Sequence, residues 1–170
     1  DWSSDVCSSD LAGPYAMAVH PSLPATLQGF IDLARAKPGA MGYASPGVGG
    51  LTHLASELLF NMAKIRVVHV PYKGAGAALP DVLANRTQVL ITPPAPLMPH
   101  FQTGRLRALA VTGASRMAEL PDVPTVRDIV PGYVVQTWYG LFAPPGTPRA
   151  VIGTLNAAMN RALDDREMRK

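Results

Sequence analysis

The sequence predicts an α/β fold built on a mainly parallel sheet, and three observations carry that prediction. Short apolar runs alternate with longer stretches of helical periodicity, the signature of strand–helix–strand units. Proline or glycine closes most of the runs, which divides the chain into short elements joined by tight loops. With 48% hydrophobic and 16% charged residues over 170 positions, there is enough apolar material to bury a core.

The elements follow in order. Met17–His20 reads as a strand closed by Pro21 and Pro24. Leu27, Phe30, Ile31 and Ala34 then form one helical face, stopped by Pro38-Gly39. Met41–Ala44 is the next strand, and the loop Ser45–Gly50 leads into a helix with Leu51, Leu54, Ala55, Leu58, Leu59 and Met62 on its apolar side. Val67–Val70 is a β-branched strand ended by Pro71, and a short helix spans Ala75–Ala84, where Pro80 is tolerated if it falls in the first turn. Val89–Ile91 is a strand, followed by a proline-rich helix closed by Gly104. Leu106–Val111 is a strand, Thr125–Asp128 fits a capping box, and Tyr133–Ala143 is extended. A last helix starts at Thr147-Pro148 with Val151, Ile152, Leu155, Met159 and Ala162 inward.

The ends are read separately. Residues 1–11, DWSSDVCSSDL, lack helical or alternating pattern and resemble a translated sequencing adapter, so they are set apart from the fold as an artefact. Cys7 is the only cysteine, so the remainder is expected to have no thiol catalyst, thiolate metal site or disulfide. The other end stops at Arg169-Lys170 inside a helical pattern, and the sequence therefore reads as a fragment. A net charge of +3 gives no case for nucleic acid, and no apolar run approaches the roughly 20 residues of a membrane span.

A parallel sheet gathers its strand-to-helix loops at the carboxyl ends of the strands, where ligands bind. That rule selects Ser45–Thr52, Pro71–Gly76 and Thr92–Pro96. In the first loop Gly47, Gly49 and Gly50 allow close approach to the backbone, the following helix start offers unpaired amides to an anion, and Thr52 adds a hydroxyl. The alternative is that these glycines only make a tight connection. The dinucleotide pattern lacks its third glycine and its acidic residue, and no phosphate-binding Gly-Lys-Ser/Thr occurs. Lys73 is either a positive charge beside the loops or a solvated lysine. His53 either donates to a ligand, pairs with Glu57 four residues on, or packs as a structural imidazole. His20, His69 and His100 are scattered, so no metal site is expected, and Ser45 has no evident base and acid partner in sequence. The chain reads as a binder rather than an enzyme, with no cofactor.

Five ordered motifs carry a resemblance. Tyr43-Ala-Ser-Pro-Gly-Val-Gly-Gly-Leu-Thr-His53, Val68-His-Val-Pro-Tyr-Lys-Gly74, Gly104-Arg-Leu-Arg-Ala-Leu-Ala-Val-Thr112, Leu120-Pro-Asp-Val-Pro-Thr-Val126 and Trp138-Tyr-Gly-Leu-Phe-Ala-Pro144 together resemble the Bug/TctC family of extracytoplasmic solute receptors. The resemblance implies a type II periplasmic binding protein of Venus-flytrap design that captures a small carboxylate for a tripartite tricarboxylate-type transporter. Its partners would be that ligand and the transporter's membrane subunits, its location the periplasm, and its state monomeric. Residues 12–135 would form the second lobe, and 136–170 the hinge crossover and partial return to the first, with Trp138-Tyr139-Gly140 near the hinge; Trp138 itself is either a core aromatic or a ligand contact. Ser45, Gly47, Val48, Gly49, Gly50, Thr52 and His53 correspond to the ligand loop, and Tyr72, Lys73 and Thr92 fall on the neighbouring edge loops. Ile91-Thr92-Pro93-Pro94 departs from the family's commoner sequence, and Asn85 stands in for a helix-terminating glycine. The competing class is an α/β enzyme that uses the same glycine-rich loop as an anion hole.

Overall fold

A computed structural model describes the backbone of residues 6–165 and the side chains of residues 13–74, 76–138 and 142–165. The expectations placed on residues 1–5, on Arg169-Lys170 and on the side chain of Tyr139 lie outside the described residues. The chain divides into two units, one of residues 13–137 and one of residues 1–12 with 138–170.

In the unit of residues 13–137 the elements are β2 (Ala16–Val19), α1 (Leu27–Ala36), β3 (Gly42–Ser45), α2 (Leu51–Met62), β4 (Val68–Pro71), α3 (Ala75–Leu83), β5 (Val89–Thr92), α4 (Met98–Gln102), β6 (Arg107–Val111) and a 3₁₀ turn at Val126–Asp128. The sheet order is β4-β3-β5-β2-β6. β3 pairs in parallel with β4 and β5, whereas β2 is antiparallel to both β5 and β6. Four strands thus run one way and β2 runs against them. The expected mainly parallel sheet thus has one exception, β2, which is not joined to β5 or β6 by a helical crossover and is free to enter reversed.

Strand alternation sends successive residues to opposite faces. Met17, Val19, Tyr43, Val89 and Ile91 meet Phe30 and Ile31 of α1 and Leu59 and Phe60 of α2, with Tyr133 sealing that core by donating its hydroxyl to Ala55 O at 3.0 Å. On the other face Ala16, Ala18, Ala44 and Leu90 meet Ala78 and Val82 of α3 and Leu97 before α4. The small residues there let the helices lie close to the sheet. The result is three layers, helices on both sides of one sheet.

Several elements differ from expectation. Leu51, Leu54 and Leu58 of α2 are exposed, while Thr52, Ala55, Ser56, Leu59 and Phe60 are buried, so the inward face is rotated from the one the leucines suggested. Pro80 is the sixth residue of α3, past the first turn. Asn85 does adopt φ +57°, the left-handed conformation expected of a residue replacing glycine there.

Among the described residues, the other unit holds most of the ribbon formed by β1 (Val6–Pro14) and β7 (Gln136–Phe142), and α5 (Arg149–Asp164). β1 runs through residues 6–11, which had no strand pattern. α5 buries none of its residues, and Val151 and Leu155 are exposed, against the expected inward face. One ribbon and one helix offer too little surface to enclose that face. Trp138 is also exposed and packs edge-on against Phe142, so it is no core aromatic.

Candidate functional site

The carboxyl ends of β3, β4, β5 and β6 share one edge, where Ser45, Pro71, Thr92 and Val111 end their strands. Two of the three expected loops are bonded together there. Tyr72 N–H donates to Ser45 O at 2.9 Å, and Gly74 N–H to Pro46 O at 3.0 Å. Register puts Ala44 opposite Leu90, which brings the third loop, beyond the buried Thr92, alongside the first.

Two of the helices that start at this edge, α2 and α3, do so on glycine. Gly50 is the N-cap of α2 and Gly74 the N-cap of α3, and neither helix start receives a side-chain cap. α1 is different, because Thr26 Oγ1 accepts from Gly29 N–H at 3.1 Å. The first amides of α2 and α3 are therefore left for something else, and they stand at the positive pole of each helix dipole. Gly49 (φ +81°) and Gly74 (φ +99°) hold conformations that a β-carbon disfavours, which is what admits these turns.

The remaining predicted residues fall into three groups. Val48 projects into solvent at 76% exposure, and Lys73 is also exposed. Thr52 is buried in the first turn of α2. Tyr72 turns back into the unit: its hydroxyl donates to Asp81 Oδ2 at 2.8 Å, and burial together with that carboxylate raises its phenol. The Tyr72 hydroxyl, with Arg86 beside it, holds Asp81 below the usual carboxylate range.

Ser45 and His53 belong to a cluster that scattered sequence positions concealed. Ser45 Oγ donates to Gly47 O at 2.8 Å, which commits its only proton. The 2.7 Å contact between Ser45 Oγ and His69 Nε2 is therefore a bond donated by the imidazole. Gly49 N–H donates to His53 Nδ1 at 3.1 Å, so that nitrogen is the unprotonated one. The two imidazoles stack with centroids 4.2 Å apart, and Tyr43 stacks on His69 at 4.8 Å. Tyr43 also donates its hydroxyl to Glu57 Oε1 at 2.5 Å, so Glu57 serves Tyr43 while His53 packs on His69. Burial, then the bond and charge of Glu57, push the Tyr43 phenol far up, and burial followed by the nearby His53 pulls His69 down. His69 was missed as a site residue. Its signal was its strand position directly across from Tyr43 on the same face.

Thr112 was also missed. Its buried hydroxyl donates to Val135 O at 2.7 Å and accepts from Tyr15 N–H at 2.8 Å, just beyond β6 on the same edge.

The profile of a receptor family described as "Tripartite tricarboxylate transporter family receptor" matches residues 8–170. The chain belongs to this family. A UPF0065 protein from the tcbD-tcbE intergenic region of Pseudomonas sp. strain P51 is 42% identical over 135 residues, 78% of this chain and 40% of that one. Among solved structures, R. palustris Rpa4515 with adipate is 31% identical, with a TM-score of 0.84 over 96% of this chain and 55% of that one. MatC (Rpa3494) from Rhodopseudomonas palustris with bound malate is 29% identical, with a TM-score of 0.82 over 93% and 54%. The chain thus has the α/β fold of the periplasmic solute-binding proteins and spans about half the length of these structures.

Proposed function

We propose that residues 13–137 form one lobe of a periplasmic receptor that captures a small carboxylate and delivers it to the membrane subunits of a tripartite tricarboxylate-type transporter. The observation that carries this reading is the pair of adjacent helices, α2 and α3, that begin on glycine at one sheet edge with uncapped amides. Oriented N–H groups at two helix starts suit a carboxylate through charge-assisted hydrogen bonds. The amides of Gly50, Leu51 and Thr52 would make that contact, directly or through ordered water, Gly47 and Gly49, whose own N–H groups bond Ser45 Oγ and His53 Nδ1, would shape the turn, and Lys73 would add long-range attraction. The relatives bound to adipate and malate support the carboxylate assignment.

An enzymatic reading would make Ser45 a nucleophile with His69 as its base. The bond directions oppose it, since the Ser45 proton goes to Gly47 O and His69 is the donor. Ser45 is also fully buried. Calorimetry of the full-length protein with malate, adipate and citrate, and with lysine as a cationic control, tests the proposal. Saturable binding of an intact carboxylate is expected. Product formation, or preference for lysine, would overturn it.

A further inference from the structure

The loop Ser45–Gly50 does not hold itself. Two of its hydrogen bonds end on imidazoles, one from each of two elements: His53 in the first turn of α2 accepts from Gly49 N–H, and His69 on β4 donates to Ser45 Oγ. Ser45 Oγ in turn bonds Gly47 O. The residues bracing the loop are therefore fixed relative to each other by the ring stack Tyr43–His69–His53 and by the Tyr43–Glu57 bond.

We infer that His53 and His69 are positioning residues, a stacked brace that holds the Gly47–Gly49 turn open so that the amides of Gly50, Leu51 and Thr52 face a ligand. The inference rests on the carboxylate reading of this loop and deepens it. His53 occupies the third helical position, where a side chain commonly reaches back to cap an amide before the helix, and here it takes the Gly49 amide out of competition. His69 directs the Ser45 hydroxyl proton to Gly47 O by occupying one of its lone pairs. Each ring has one polar duty and one packing duty, and these can be separated by substitution.

Phenylalanine keeps the ring in the stack and removes the hydrogen bond, whereas glutamine restores a donor or acceptor without the ring. His53→Phe and His69→Phe are expected to keep a wild-type unfolding midpoint within a few degrees and to weaken malate or adipate binding about 10-fold. His53→Gln and His69→Gln should recover most of that loss even if they are less stable. A second readout needs no ligand: amide hydrogen exchange of Gly49 in the free protein should accelerate at least 5-fold in His53→Phe and return in His53→Gln. Wild-type affinity in both phenylalanine variants, or glutamine variants that lose as much as phenylalanine ones, overturns the brace. Unchanged Gly49 exchange in His53→Phe overturns it as well. If exchange responds as expected while wild-type protein binds no carboxylate, the brace stands and the carboxylate reading fails.

Discussion

Replacing Gly50 with aspartate should make the protein more stable and abolish its proposed function. Gly50 sits at φ −71° and ψ 164°, the extended conformation of a helix N-cap, and its carbonyl already accepts the first helical bond from Leu54. A β-carbon there would meet no atom within 4 Å. Aspartate over glycine at an N-cap gains a few tenths of a kcal/mol, and a negative charge at the dipole's positive end adds about 0.3–1 kcal/mol. Loss of glycine's freedom in the unfolded chain contributes about 0.4–1 kcal/mol more. The total, about 1–2 kcal/mol, corresponds to a rise of about 3–8 °C in midpoint for a unit of this size. The same carboxylate would occupy the amides meant for the ligand and repel it. At about 5 Å and an effective dielectric near 20, that repulsion is about 3 kcal/mol, or a loss of about 100-fold in affinity. Differential scanning calorimetry and titration calorimetry read the two effects on one sample. A Kd within threefold of wild type would refute the placement of the ligand on α2. A fall in midpoint would refute the view that the missing cap is a concession to binding.

Three further outcomes are expected. Thr112→Val leaves Tyr15 N–H and Val135 O without their partner and should cost about 2–4 kcal/mol by urea denaturation, with Thr112→Ser losing less than half as much. Gly49→Ala meets no neighbouring atom, so its cost is purely that of φ +81°, about 1 kcal/mol, and a stability unchanged within error would show that the turn relaxes freely. His69 is held below the ordinary histidine value of about 6.5 by burial and by His53, so the unfolded chain takes up its proton first. Stability is therefore full above that value and declines as pH falls through it toward the lower folded value, with Tyr43, Glu57 and His53 as the groups facing the ring. Thermal midpoints between pH 8 and 5 should fall less steeply in His69→Gln, and equal slopes would contradict the assignment.

Periodicity and punctuation made most of the elements legible. The β-branched and apolar runs marked all five strands of the main sheet, and the Leu27–Ala34 face was read correctly residue by residue. Direction was not legible, because nothing local in Ala16–Val19 tells a strand which way it will enter a sheet. The α2 face was misread because Leu51, Leu54 and Leu58 outweigh Thr52 and Ser56 in hydropathy, although the latter two are buried. Burial of Ser56 is made possible by its hydroxyl, which donates to Thr52 O at 2.8 Å within the helix. The edge loops followed from strand order alone. The imidazole stack did not, since His53 lies on α2 and His69 on β4, and the β3–β4 register pairs only Tyr43 with His69.

The reversed strand explains why so much converges on one edge. Because β2 runs against its neighbours, its amino end, Tyr15-Ala16, lies at the carboxyl ends of β5 and β6, where Ala16 faces both Thr92 and Val111. A parallel β2 would have carried that end to the opposite edge. Thr112 then ties the start of the unit to its last stretch, bonding Tyr15 through side chain and backbone, and Val135 likewise. The points at which the chain passes into and out of residues 13–137 thus share the sheet edge that presents Gly50 and Gly74.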